Sequence, residues 1–346
     1  MFAQPIARGV RVTEMVLRAI SNGRSTMLIN RRSLLLTGAA AGLGAALSTS
    51  AFAAAPLAGV QAPGFYRRKV GSLEITALLD GFAPLSVDNF SGADKADLVG
   101  ILNQAGLTES LPTSVNAFVI NSGEKTYLVD TGLGANQMFG PTLGRTVANL
   151  AAAGITPDQI DAVILTHAHP DHADGLVGAD GAAIFANAEL VLHEKEAGFW
   201  LDDGALSSAP DGLKPMFDLA RKALKPYEAR TRLAKDGEIF PGVEMILSAG
   251  HTPGHSILRV ASGADQMLIV GDTVHNAAIH AEKPDVGFAF DMDPAEAAAS
   301  RRRIFDMVSA DNMLIAATHI AFPSFGRIFV DGDHYRFQPA DYAYTL

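Results

Sequence analysis

Leu165-Thr-His-Ala-His-Pro-Asp-His-Ala-Asp-Gly175 is the stretch whose reading decides the fold. An apolar run, Ala162-Val163-Ile164-Leu165, ends abruptly, and His167, His169, Asp171 and His172 follow at once. Two His at i and i+2 on a strand end project to the same side. The turn after Pro170 can swing Asp171 and His172 back towards the same point. Neutral imidazoles with a carboxylate suit Zn, Mn or Fe better than Ca or Mg. The bland alternative is a polar loop that is His-rich by accident. With 10 His and 37 acidic residues in 346, chance should produce these offsets in fewer than about one chain in a thousand.

Working outward, the same pattern recurs: an apolar strand, then a metal-type residue in a Gly-rich turn. It is found at Asp130 after Lys125–Val129, and at His251 in Gly250-His-Thr-Pro-Gly-His255 after Val243–Leu247. It returns at Asp272 after Met267–Val270, and at His319 after Leu314–Ala317. Polar residues gathered at successive strand ends are where layered α/β folds build active sites. These residues suffice for two metals. His167, His169 and His251 would hold one, Asp171, His172 and His319 the other, with Asp272 as the natural bridge. Two cations about 3.5–4 Å apart can share a hydroxide, because coordination lowers the pKa of water from about 15.7 to about 7. Asp171 keeps one oxygen to pass a proton to the leaving group. Asp130 is read as orienting a ligand His from behind, against the alternative of a loop cap. His255 is read as holding the turn rather than a metal. His193 and His275 either line the pocket or are ordinary polar residues, and His280 and His334 offer nothing beyond their type.

Elsewhere, Tyr66–Leu79 alternates enough for one or two strands ending in Asp80-Gly81, and Ala93–Ala105 has helical spacing. Ser114–Asn121 and Lys125–Val129 form a predicted hairpin around Ser122-Gly123. Thr142–Ala153 reads as a helix closed by Gly154, with a short helix after Ile155. Glu189–His193 is a strand leading into a helix that carries Trp200, the single Trp. Pro210–Ala229 is mostly helical, Pro294–Ser309 is an amphipathic helix, and a terminal hairpin closes around Asp331-Gly332.

Hydrophobic content of 48% with 18% charged residues describes a globular chain with ample core. The net charge of −10 argues against nucleic-acid backbones and anionic membranes as partners. Asn30-Arg31-Arg32-Ser33-Leu34-Leu35-Leu36, a mildly apolar stretch to about Leu47, and Ser50-Ala51-Phe52-Ala53 read as a twin-arginine export signal over residues 1–53. The apolar run is too short and too Gly-rich for a stable membrane anchor. Met27 would place the arginine pair near the start, so the true start is either Met1 or Met27. Residues 54–63 read as a linker and 64–346 as one domain, with a periplasmic or secreted address. Zero Cys excludes a lipid-anchored lipoprotein, disulfides and thiolate ligands together.

At this point the residues resemble a known family. His-x-His-x-Asp-His at 167–172, Gly-His-Thr-Pro-Gly-His at 250–255, Gly271-Asp272 and Thr318-His319 are similar to the metallo-β-lactamase fold. Within it the chain resembles the methyl parathion hydrolase family and related exported lactone and aryl-ester hydrolases. That narrower resemblance rests on Gly64-Phe-Tyr-Arg, Phe139-Gly-Pro-Thr-Leu-Gly-Arg145, Phe199-Trp200-Leu201, His319-Ile-Ala-Phe-Pro323 and Tyr335-Arg-Phe-Gln-Pro339. It implies an α/β four-layer αβ/βα sandwich and two divalent ions, zinc first, with Mn, Co or Fe as alternatives. It also implies an aromatic substrate pocket, for which Phe139, Trp200 and Phe217 are the matching positions. His275 and the insertion-like Leu133-Gly-Ala-Asn-Gln-Met138 are the departures, placed where such enzymes choose substrates.

The expected activity is hydrolysis of small apolar esters, lactones and aryl esters, together with organophosphate triesters such as methyl parathion. The alternative is a quorum-quenching acyl-homoserine lactonase, and homodimerisation is left open. Other readings fit less well. A flavo-diiron oxygen reductase would carry a carboxylate where His169 stands, and a thiolate-dependent β-lactamase is excluded by the absence of Cys. Asp272 disfavours the Cys-free lactamases, and too little chain follows His319 for the helical part of a glutathione-thioester hydrolase. The acidic charge opposes an RNA-processing nuclease. A non-catalytic metal-binding module would leave a pocket unused.

Overall fold

The computed structural model describes Ala55 and residues 57–346. The predicted export signal therefore lies outside the described residues. The chain divides into Met1–Gln61 and Ala62–Leu346, and Leu57–Gln61 carry no helix or strand. In chain order the second unit runs β1 (Phe65–Val70), β2 (Leu73–Ser86), β3 (Phe90–Ser91), α1 (Lys95–Gln104), β4 (Ser110–Asn121) and β5 (Thr126–Val129). Then come α2 (Thr146–Ala152), β6 (Ala162–Ile164), α3 (Pro170–Ala173), β7 (Glu189–His193), α4 (Glu194–Trp200), α5 (Asp203–Ser208) and α6 (Lys214–Leu224). The rest is β8 (Thr231–Ala234), β9 (Gly237–Phe240), β10 (Val243–Leu247), β11 (Ser256–Ser262), β12 (Asp265–Ile269) and α7 (Ala277–Glu282). β13 (Gly287–Phe288), α8 (Pro294–Ala310), β14 (Leu314–Ala316), β15 (Phe325–Asp331) and β16 (His334–Pro339) complete it.

Two seven-stranded sheets follow, in the orders β1-β2-β4-β5-β6-β7-β8 and β16-β15-β14-β12-β11-β10-β9. Successive side chains on a strand point to opposite faces, and both faces here are covered. Ala162 and Ile164 of β6 join the core between the sheets, with Met267 and Ile269 of β12 opposite. Val163 turns outward to pack with Leu150 of α2, Trp200 of α4 and Phe217 of α6. Leu268 turns outward on the other sheet, against Ile304, Phe305 and Val308 of α8. The layers are helix, sheet, sheet, helix, the αβ/βα sandwich that was expected. A strand buried on both sides has to be apolar throughout, which is why Ala-Val-Ile and its counterparts read as unbroken runs.

Parallel pairing decides where the functional residues meet. Val129 lies opposite Ile164, so β5 and β6 end together and deliver Asp130 and His167 side by side. Ile269 lies opposite Ala316, so β12 and β14 deliver Asp272 and His319 in the same way. The β10–β11 hairpin, with Leu247 opposite Ser256, carries His251 in its loop. The Ser256 N–H donates to the Thr166 carbonyl at 2.9 Å, joining the two sheets beside the site.

The elements differ from expectation in instructive places. β2 does not end at Asp80-Gly81 but bulges between Leu79 and Gly81 and continues to Ser86. Gly81 has φ +146°, and a Cβ there would collide with the Thr142 carbonyl oxygen. The helix expected from Thr142 begins only at Thr146, after Asp80 has accepted from the backbone N–H of Leu133, Gly144 and Thr146. β8 and β9 were not foreseen because they are edge strands with little apolar burial to pattern them. Among the described residues no helix is long and apolar enough to cross a membrane.

Gly81→Ala should cost about 2 kcal/mol of stability, through the bulge and the strained φ. Urea unfolding checks it, and an unchanged midpoint would show that the loop at 142–143 yields freely.

Candidate metal centre

His169 caps the short helix α3, so Pro170 occupies its first position and Asp171 and His172 its first turn. That geometry folds the sequence back on itself and brings His172 beside His167, ring to ring at 4.0 Å. Asp272 sits in a single 3-10 turn after β12, and His319 follows β14 with Ala317 and Thr318 between. All seven residues predicted to hold metal converge. His167 Nε2 is 3.0 Å from His169 Nδ1, which is 3.0 Å from His251 Nε2. Asp171 Oδ2 lies 3.4 Å from His319 Nε2 and 3.7 Å from His172 Nε2. Asp272 faces both groups. Its Oδ2 is 3.2 Å from His251 Nε2 and 3.1 Å from His319 Nε2, and its Oδ1 is 3.1 Å from His172 Nε2.

The opposite ring nitrogens show which atoms are free to ligate. His172 Nδ1 donates to Asp130 Oδ2 at 2.8 Å, His251 Nδ1 to Asp291 Oδ1 at 2.9 Å, and His319 Nδ1 to the Ser114 carbonyl at 2.9 Å. In the neutral ring each inward nitrogen is then a bare lone pair. His172 Nε2 and Asp272 Oδ1 are buried and have no hydrogen-bond partner. Leaving such groups unpaired is costly, and divalent cations would satisfy them together. The donor set of imidazoles and carboxylates fits zinc and its borderline neighbours.

The electrostatics divide the rings, because nearby carboxylates, Asp272 foremost, overcome burial and raise His172 and His319 as well as His251. Burial pushes His167 and His169 well below the usual imidazole range. Burial would also lower His251, but the Asp272 and Asp291 carboxylates overcome it and raise His251 to about 9. Burial alone would raise Asp272, yet the surrounding rings, His172 and His319 foremost, hold it well below the usual carboxylate range.

Supporting residues lie behind this layer. Asp130 also accepts from Thr166 N and Oγ1, both at 2.8 Å, so it orients His172 and fixes the loop before His167. His255 holds the turn, as expected. Its Nδ1 meets the Ser248 carbonyl at 3.0 Å, and its Nε2 accepts from the Asp272 backbone N–H at 3.0 Å. Burial lowers its pKa to about 3, which keeps it neutral and able to accept. Sequence reasoning missed Asp291, Glu196 and Arg301. Asp291 stands in Asp-Met-Asp-Pro, which reads as a helix start. Arg301 sits in an amphipathic helix, yet it is fully buried and donates to the carbonyls of Thr273, Pro284 and Val286.

A cavity of about 330 Å³ opens over Asp171, Asp272 and His319. Phe139 and His275 line it, with Leu213, Met216, Phe288 and Phe290 as further apolar wall. His275 stacks on Phe288 at 3.7 Å and places Nε2 3.2 Å from Asp272 Oδ2. Trp200 and Phe217 correct the expectation, because both are fully buried core residues outside this lining. Trp200 instead supports His169 from behind, its ring 5.7 Å away. Of the segment Leu133–Phe139 only Phe139 reaches the cavity. Asn136 turns away to donate to Asp174 at 2.6 Å. His193 caps α4 and is absent from the lining.

With this geometry in view, the comparisons fall into place. Residues 111–319 match the family described as the Metallo-beta-lactamase superfamily. The chain is similar to the crystal structure of hydrolase AbOPH in the beta lactamase superfamily, with 32% identity and a TM-score of 0.77 over 82% of this chain and 100% of that one. It is also similar to AidC, a dizinc quorum-quenching lactonase solved with an acyl-homoserine product. Identity there is 26% and the TM-score 0.76, over 81% and 99% of the two chains. In sequence it is 25% identical over 177 residues to the N-acyl homoserine lactonase AiiA of Bacillus thuringiensis subsp. kurstaki. That match spans 51% of this chain and 62% of the relative.

Loading Zn onto metal-free protein at pH 7.5 should release protons, because His251 gives up one it holds up to about pH 9. Affinity should then rise with pH towards that value. Calorimetry in two buffers of different ionisation enthalpy measures the release, and equal heats would contradict it. Asp272→Ala should lose at least one ion per chain in elemental analysis, whereas two retained ions would show that it does not bridge.

Proposed function

The chain belongs to the metallo-beta-lactamase superfamily, and from that membership we propose a dinuclear-metal hydrolase of small hydrophobic esters, with lactones foremost. The observation that carries this reading is the set of inward-facing imidazole nitrogens converging on Asp272 at the floor of an apolar cavity. His167, His169 and His251 would hold one ion, Asp171, His172 and His319 the other, and Asp272 both. Bound there, such ions supply water acidic enough to attack at neutral pH and a Lewis acid for the substrate oxygen.

The remaining tasks fall to the chain itself. Leu213, Met216, Phe288 and Phe290 hold the apolar part of the substrate and exclude water from the floor. Asp171 lines the floor beside His319 and can carry a proton to the departing alkoxide. Nothing in an apolar wall separates a lactone sharply from an aryl ester or a phosphotriester, so organophosphate triesters stay within the proposal. A narrower reading, acyl-homoserine lactone as substrate, is favoured by the likeness to AidC and AiiA. Export by the twin-arginine route to the periplasm or beyond belongs to the proposal on the strength of Arg31-Arg32 and Ser50–Ala53 alone.

Chelation should abolish hydrolysis and Zn, Mn or Co should restore it. Rates measured side by side on an acyl-homoserine lactone, dihydrocoumarin, a paraoxon-type triester and a β-lactam should rank the two lactones first. Activity that survives metal removal, or a preference for the β-lactam, would overturn the reading.

A further inference from the structure

Glu196 is fully buried on α4, one turn before Trp200, and each of its carboxylate oxygens accepts twice. Oε1 takes the Ala168 backbone N–H at 2.8 Å and Trp200 Nε1–H at 2.7 Å. Oε2 takes Thr252 Oγ1–H at 2.6 Å and the Gly254 backbone N–H at 3.1 Å. Ala168 lies between His167 and His169, and Thr252 follows His251. One side chain thus joins the two loops that carry the three-His group, and it also holds the Trp200 ring that supports His169. The fit is close. A Cβ on Gly254 would collide with the Glu196 backbone, so glycine lets the second loop approach. The other group is anchored elsewhere, His172 by Asp130 and His319 by the Ser114 carbonyl.

We propose that Glu196 is a positioning residue for one half of the centre, setting the spacing of His167, His169 and His251 and leaving Asp171, His172 and His319 untouched. The inference rests on the two-ion reading above. A carboxylate is needed because three of the four donors are N–H groups that cannot reverse. The amide of Glu196→Gln offers one oxygen only. Turned to Ala168 and Trp200, it presents its NH2 to Gly254 N–H and pushes the His251 loop away. Turned round, it does the same to Ala168. Either way one ligand of the three is displaced.

The test is zinc titration of metal-free full-length protein, with the metal-free fold checked by circular dichroism. Wild type should bind two ions. E196Q should bind one normally and the other about 10–100-fold more weakly, the cost usual for losing a group that orients ligands. In His319→Ala, where the three-His half is the stronger remaining site, adding E196Q should strip the remaining ion. Cobalt in that background should lose its visible absorption band in parallel. Should E196Q fail to fold, Thr252→Val, which removes one donor and keeps the shape, should weaken the same ion by about three- to tenfold. Two ions bound by E196Q or T252V as tightly as by wild type would overturn the inference, and so would weakening confined to the Asp171 half. Wild type that binds no ion would overturn the two-ion reading instead.

Discussion

Asp272 is the constraint on which the rest depends. It is a buried carboxylate within 3.2 Å of imidazole nitrogens from three separate loops. A charge buried to that degree is tolerated only when it is paired or coordinates metal. The fold answers by ending parallel strands at one level in both sheets, so that each sheet delivers part of the shell. The backbone N–H of Asp272 is itself held by His255, whose other nitrogen is committed to Ser248. The carboxylate is therefore fixed from behind before anything binds in front of it.

What surrounds Asp272 follows from the same need. A ligating His almost always gives its other ring nitrogen to a partner that fixes its proton. Asp130, Asp291 and the Ser114 carbonyl supply those partners from the turn after β5, from the segment after β13 and from β4. None of the three is near its His in sequence. The contact that places Ser114 of one sheet by His319 at the end of a strand of the other spans 205 positions, and only the closed sandwich brings them together. Preorganisation of the site and closure of the fold are one event in this chain.

That explains what could be read in advance. His167, His251, Asp272 and His319 were legible because each follows an apolar run that announces a buried strand, and His169, Asp171 and His172 because of their spacing after His167. Asp130 was legible by the same position, and His255 by its place four residues after His251 in the turn. Asp291, Glu196 and Arg301 were not, since their roles come from tertiary contacts and their local sequence says helix start or helix face. Trp200 shows the opposite failure. A single aromatic near a metal motif suggests a pocket, yet the indole packs beneath His169, and core and wall cannot be told apart along the chain. The edge strands β8 and β9 were invisible because they bury too few apolar side chains to set a pattern.

The cavity wall is not uniform in how far it can change. Phe288 and Phe290 stand on the segment that Asp291 ties to His251, and Met292 N–H donates to the His251 carbonyl at 3.1 Å. Arg301 joins the preceding residues, Pro284 and Val286, to Thr273 beside Asp272. A substitution there moves wall and floor together. Leu213 and Met216, at the start of α6, and Leu85, on β2, line the opposite side, where α6 meets the cluster through apolar packing on α3. A changed side chain there meets the ligating residues through packing rather than through hydrogen bonds. The two walls therefore offer different routes: one reshapes the cavity through side-chain packing, the other through the hydrogen bonds that also hold His251 and the loop of Asp272.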